Sequence, residues 1–214
     1  QLIPLPSDRP APALDVNERA MEAVSRVVET IGAPDFGQTA LMHLNAWLSL
    51  PWWSVFRLSE SLPPRMPTSG SYRLPDHTAD AWRAYRDSLY HHDQTFLEAR
   101  QQSHYTPEML VHWDAREIPR PHRERIYTRH QLRERLSLIC RDGDDGLLAI
   151  NLYRHEAHQP FSDTEIDVTD YDVTTEVLVD GKPMDGLGDL GLDNLVGETG
   201  SGLHEGQVRF ACAG

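Results

Sequence analysis

Residues 81–96 read AWRAYRDSLYHHDQTF, and His91, His92 and Asp93 within them are side chains of the types that hold a divalent metal. Helical geometry decides how far that chemistry goes. Successive residues of a helix turn by about 100°, so a single helix over 82–96 places Trp82, Tyr85, Leu89, Asp93 and Phe96 within ~80° of one another. The same wheel sends His91 to roughly the opposite side and His92 to the edge. Two adjacent histidines then cannot close round one ion with Asp93. The pairs His91/Asp93 and His112/Asp114 become metal ligands only if their segments are loops, and the chain holds no HExxH. No catalytic residue and no metal ligand is assigned. What needs explaining is a carboxylate on an aromatic face, since an ionised Asp is costly to bury unless donors or a positive charge meet it. Two readings stand. Asp93 caps a new helix beginning QTFLEARQQ, or it accepts a hydrogen bond from a polar group of a small ligand lying against Trp82 and Tyr85.

The other clusters with chemical potential have structural readings. Seven arginines between Arg116 and Arg135 could hold an anion, yet Glu117, Glu124 and Glu134 interleave with them, which reads as a solvated helix face. RDGDDG at 141–146 lacks the spacing of a calcium loop and reads as a hairpin turn. Cys140 sits in a strand-like run, so packing is its expected role. No Ser/His/Asp set is identifiable by spacing, and DGLGDLGLDN in the tail lacks the nonapeptide period of calcium-binding repeats.

The elements that must position these residues follow from periodicity. DVNERAMEAVSRVVETIG carries Met21, Val24, Val27, Val28 and Ile31 at helical spacing and ends at Gly32. DFGQTALMHLNAWLSL gives a second helix closed by Pro51, with His43 near its side in an exposed or half-buried role. WWSVFRLSE and GSYRL read as strands, residues 77–99 as helix, and MLVHWDA as a short strand or the lip of a loop. PHRERIYTRHQLRERL is helical in part. LSLICRDGDDGLLAINLYRH contains the strongest hairpin pattern in the chain. Ser162 and Glu165 in FSDTEI have the spacing of a capping box, which predicts a helix after them. A β-branched run with a turn, DVTDYDVTTEVLVDGKPMDG, follows instead.

Composition bounds the class. The chain has 214 residues, 39% of them hydrophobic, with a net charge of −13. Nothing in it approaches the roughly 18 consecutive apolar residues of a membrane span. The start, QLIPLPSDRPAPALD, has no basic stretch leading into a long apolar run, so no secretory leader is expected. Cys140 and Cys212 fit neither a disulfide framework nor a metal knuckle, which points to a reducing cytoplasm. Residues 1–166 carry a charge of −5 and residues 167–214 carry −8, and nine of the fourteen glycines lie after residue 166. The expected organisation is a Pro-rich arm over 1–15, a folded domain over 16–166, and an acidic, Gly-rich tail over 167–214. That charge argues against nucleic-acid binding by the chain itself.

The stretch AWRAYRDSLYHHDQTFLEARQQSHYTPEMLVHWD resembles the middle of the sensing domain of LuxR-type transcription regulators. There a Trp and a Tyr on a helix precede an Asp, and a further Trp precedes an Asp-containing loop. The resemblance covers about 16–166 and implies an α+β fold: an α-β-α sandwich with a central antiparallel sheet, GAF/PAS-like, holding a small organic ligand between sheet and helices. It implies Trp82 and Tyr85 as ring contacts, Asp93 as acceptor for a ligand amide, and Trp113 as a further wall or donor. No cofactor is implied. The implied partners are the signal molecule and a second regulator subunit, in a homodimer or mixed dimer. A regulator of this type also carries a DNA-binding helix-turn-helix, and the last 48 residues show none, so that part is expected to be missing or replaced. Two other functions remain open: a metal-dependent enzyme using His and Asp residues, and a ligand-free module that sequesters a partner regulator.

Overall fold

The computed structural model describes residues 2–3, 14–103, 108–143, 145–173, 178–179 and 182–183. Most of the Pro-rich arm, and the tail beyond residue 183, lie outside the described residues. Six antiparallel strands form one sheet in the order β1-β4-β5-β6-β2-β3. They are β1 (Leu2–Ile3), β2 (Trp52–Ser59), β3 (Arg65–Ser71), β4 (Glu108–Asp114), β5 (Leu132–Asp142) and β6 (Gly146–His155). The predicted hairpin is the pair β5 and β6, closed over residues 143–145 where Gly143 takes φ +70°, a left-handed value that glycine adopts without strain. Two carboxylates of that hairpin are engaged locally: Asp142 pairs with Arg57 at 2.8 Å, and Asp145 accepts from Ser59 and Ser61.

Strand alternation divides the buried side chains between two faces. Trp53, Val55, Leu110, Leu136, Leu138, Cys140, Leu148 and Leu152 join Phe36, Ala40 and Leu41 in one core. That face is covered by α1 (Leu14–Glu29), α2 (Phe36–Leu44) and α6 (Asp163–Val173); Val27 of α1, Ile31 in the turn after it and Ile166 of α6 pack against the core. Trp52, Phe56, Val111, Ile139, Leu147 and Ala149 point the other way into a second core. Above it lie α3 (Thr78–Ala84), α4 (Gln94–Gln102) and α5 (Arg120–His122) with the turns that extend them. The result is the expected α-β-α sandwich.

Three local expectations change. The single helix over 82–96 is instead α3, a π-helical turn over Tyr85–Leu89, a 3₁₀ turn over Tyr90–His92, and α4 after a break at Asp93. The wide π turn followed by the tight 3₁₀ turn nearly cancel in phase. Tyr85, Leu89, Asp93 and Phe96 therefore still share the buried side, while His91 and His92 are exposed. The arginine run is not one solvated face. Its helix ends at His130, Gln131 reverses the chain at φ +54°, and the run finishes inside β5, where Arg135 is 2% exposed. The capping box forms, with Glu165 accepting from the Ser162 amide and the Ser162 hydroxyl accepting from the Glu165 amide. Its helix runs to Val173, so the composition shift at residue 167 falls within an element, and among the described residues beyond it Leu178–Val179 pairs with Lys182–Pro183 in a two-strand ribbon.

Candidate ligand-binding site

Cross-strand register builds the floor of a cavity on the α3–α5 side of the sheet. Trp52, Tyr153, Arg135 and Trp113 lie side by side across β2, β6, β5 and β4, because Trp52 pairs with Tyr153, Tyr153 with Arg135, and Arg135 with Trp113. One step along the strands, Ser54, Asn151 and Ser137 form a second, polar row. The cavity opens over one end of this floor, with Trp52, Ser54 and Phe56 of β2 beside Arg135 and Tyr153. The α3 segment supplies one wall through Ala81, Trp82 and Tyr85. The other wall comes from His122, Ile126 and Tyr127, and His77 and His130 complete the lining. The cavity is small: its interior leaves about 50 Å³ for water-sized centres, and the space reaches about 560 Å³ only when open solvent at its mouth is included.

Polar ties hold the two walls together. The Arg125 guanidinium donates to the Ser88 hydroxyl at 2.8 Å, and Arg129 pairs with Asp80 at 3.0 Å. His77 and His130 stack with ring centroids 5.0 Å apart. The rings of the lining pack obliquely: Phe56 is 5.0 Å from Trp82 and 5.2 Å from Tyr85, and Trp82 stacks on Tyr85 at 5.9 Å. Such offset contacts are worth about 0.5–1.5 kcal/mol each beyond the apolar area they bury.

Asp93 belongs to the layer behind this wall. Its carboxylate caps α4 by accepting from the Thr95 amide at 3.1 Å. It also accepts from both terminal nitrogens of Arg135, at 3.3 and 3.5 Å, and Arg135 further donates to the Thr95 hydroxyl. Both members of the pair are buried. Burial alone pushes the Asp93 carboxyl up, but the Arg135 guanidinium, His122 and the bonds from Arg135 and Thr95 outweigh it and hold the group below the ordinary carboxylate value. The Arg135 guanidinium is held above its ordinary value: burial opposes the charge, and the Tyr127 and Asp93 groups beside it favour it. His122 goes the other way. Burial depresses it to about 4, so its imidazole is neutral near pH 7.

Several donors in the lining have no partner. The Tyr127 hydroxyl and Arg135 Nε are buried without a hydrogen bond. The Tyr85 hydroxyl lies beside the Asp93 carboxylate without completing one, and His130 Nε2 stops 3.6 Å from Asp80. An unsatisfied buried polar group costs about 1–3 kcal/mol, which a suitable ligand would recover.

Of the residues singled out in the sequence, Trp82 and Tyr85 line the cavity, while Asp93 and Trp113 do not. Trp113 continues the same row of the floor beyond Arg135 and is half-buried there. Sequence reasoning passed over Trp52, Phe56, Arg135, Tyr127 and Tyr153. The clue to Arg135 was strand alternation in RLSLIC: a charge between two apolar faces must find a buried counter-charge, and Asp93 was waiting for one. Among the described residues no group of three or more His, Cys, Asp or Glu is placed to hold a metal, and no helix is long and apolar enough to cross a membrane.

The sequence matches no family model and no curated protein. Solved structures do resemble the fold. The LBD domain of VqsR from Pseudomonas aeruginosa matches with a TM-score of 0.51 at 14% identity, over 71% of this chain and 88% of that one. The N-acylhomoserine lactone-dependent LuxR-family transcription factor CepR2 from Burkholderia cenocepacia matches at 0.48 and 14%, over 72% and 84%. The phycoerythrobilin-bound GAF domain of a cyanobacterial phytochrome matches at 0.46 and 10%, over 86% and 94%. By their descriptions these neighbours are LuxR-type and GAF domains. The likeness to the VqsR domain concerns the fold alone.

Proposed function

We propose that this chain is the small-molecule sensing domain of a cytoplasmic LuxR-type transcription regulator, acting by binding and not by catalysis. The observation that carries the reading is the cavity between sheet, α3 and α5: aromatic on its walls, polar at its floor, and furnished with buried donors that the protein itself leaves unpaired. A small organic signal buries its apolar part against Trp82, Tyr85, Trp52 and Phe56. Asp93 acts one layer behind, by holding Arg135, and Trp113 extends the floor. Occupancy draws α3 and α5 onto the sheet and thereby shifts a dimerisation equilibrium, the step that would report the signal. A DNA-reading part is not supplied by the folded domain.

The test is a thermal-shift screen of small apolar organic compounds against the parent and Ala81→Trp, which places an indole in the space beside Trp82. A compound present at about 100 times its Kd stabilises by about 2.7 kcal/mol, which raises Tm by roughly 5–10 °C for a domain of this size. The proposal expects such shifts in the parent and their loss in Ala81→Trp. It fails if no compound moves Tm, or if both proteins respond alike.

A further inference from the structure

Resting on that assignment of the cavity, the structure allows the chemical class of its occupant to be narrowed. We infer that the cavity takes a compact, planar, uncharged molecule that presents a carbonyl-type acceptor to Tyr127 and Arg135.

Planarity follows from the walls. Trp82 stacks on Tyr85 with 26° between ring planes, and Phe56 packs against both, so the apolar surface offered to a ligand consists of ring faces and edges. The polar requirement follows from what is unpaired. Arg135 Nε can only donate, the Tyr127 hydroxyl likewise has no partner, and both side chains line the cavity at 2% and 1% exposure. A ligand carbonyl oxygen supplies the acceptor that these donors lack.

The lining contains no carboxylate, and Asp93, which pairs with Arg135, already accepts from the Thr95 amide and from two nitrogens of Arg135. A ligand amide seeking the acceptor that the family resemblance implied finds that acceptor occupied by protein donors. Charge balance excludes an anion. Arg135 is the cation of the floor, and its charge is neutralised by Asp93, while burial keeps His122 uncharged near pH 7. A carboxylate entering here would lose its hydration without meeting a net positive charge.

Three flat probes of similar size separate these cases: coumarin, neutral with a ring carbonyl; indole, neutral with only an N–H to donate; and 2-naphthoate, an anion. Titration by saturation-transfer NMR at pH 7.5 is expected to rank coumarin at least about tenfold tighter than either of the others, one well-made hydrogen bond being of that order. Tyr127→Phe should weaken coumarin about five- to tenfold. Its own Tm in the absence of probe should hold or rise, because the hydroxyl it removes has no partner in the free protein. Indole or 2-naphthoate binding as well as coumarin, or coumarin binding Tyr127→Phe as tightly as the parent, overturns the inference and leaves the cavity a binding site. Failure of all three probes overturns it too. Only the Ala81→Trp screen, if it also finds nothing, removes the sensing assignment.

Discussion

At the scale of single residues the account turns on Asp93, whose carboxylate does two jobs at once. It ends the 3₁₀ turn by capping α4 and neutralises Arg135 under the cavity. The two jobs separate experimentally, since Ser also caps helices well while carrying no charge. Asp93→Ser should therefore lose about 3–5 kcal/mol in urea unfolding, the cost of stranding a buried cation, nearly as much as Asp93→Ala. A loss below about 1 kcal/mol would mean that only the cap matters. His122 gives the residue-scale pH dependence. Its folded value of about 4 lies below the ordinary 6.5, so between these values the unfolded chain binds the proton more readily. The contribution is complete above about pH 6.5 and is lost as pH falls toward 4, by about 2 kcal/mol between pH 7 and pH 5. His122→Gln should remove that part of the parent's loss; equal losses in both proteins would contradict the assignment. The cap was legible in the sequence, because an Asp before QTFLEARQQ has the form of a helix start. The ion pair was not, because Arg135 sits forty-two positions away in a run whose glutamates matched a solvated helix.

Among the elements, α2 and the edge of β3 show how closely backbone can approach where both chains lack a side chain. A Cβ on Gly37 would lie 2.1 Å from the Ser69 carbonyl oxygen, and one on Gly70 would lie 2.1 Å from the Gly37 carbonyl oxygen. The same Gly37 carbonyl accepts from the Trp53 indole at 2.7 Å, which locks helix to sheet. Because the obstructing atoms are backbone, Gly37→Ala should cost about 3 kcal/mol, the upper end for overpacking, measured as a fall in the urea midpoint. A variant as stable as the parent would show that α2 shifts freely. Elements with a strong period were readable: α1 and the β5–β6 hairpin lie where periodicity and turn residues put them, and α2 starts as expected but ends at Leu44, short of Pro51. The π turn over Tyr85–Leu89 was not, since five residues per closure leave the apolar pattern intact and only displace its phase, which the following 3₁₀ turn restores. For that reason the face Tyr85–Leu89–Asp93–Phe96 was foreseen correctly from a helix that is not continuous.

For the molecule as a whole, the sheet separates two cores with different duties. The α1–α2–α6 side is packed with aliphatic residues, and the α3–α5 side holds the cavity, the buried ion pair and most of the aromatic rings. The five tryptophans fall on both sides and report on each. Trp52 and Trp82 line the cavity, Trp113 lies on the same face, and Trp47 and Trp53 pack on the other. The central claim, that a small molecule binds between the sheet and α3–α5, is tested most directly by the five indole N–H resonances of ¹⁵N-labelled protein during titration with a compound that raises Tm. Trp52 and Trp82 should shift saturably with a common Kd, with Trp47 and Trp53 unmoved. Shifts confined to Trp47 and Trp53, or no indole shift at saturation, would contradict it.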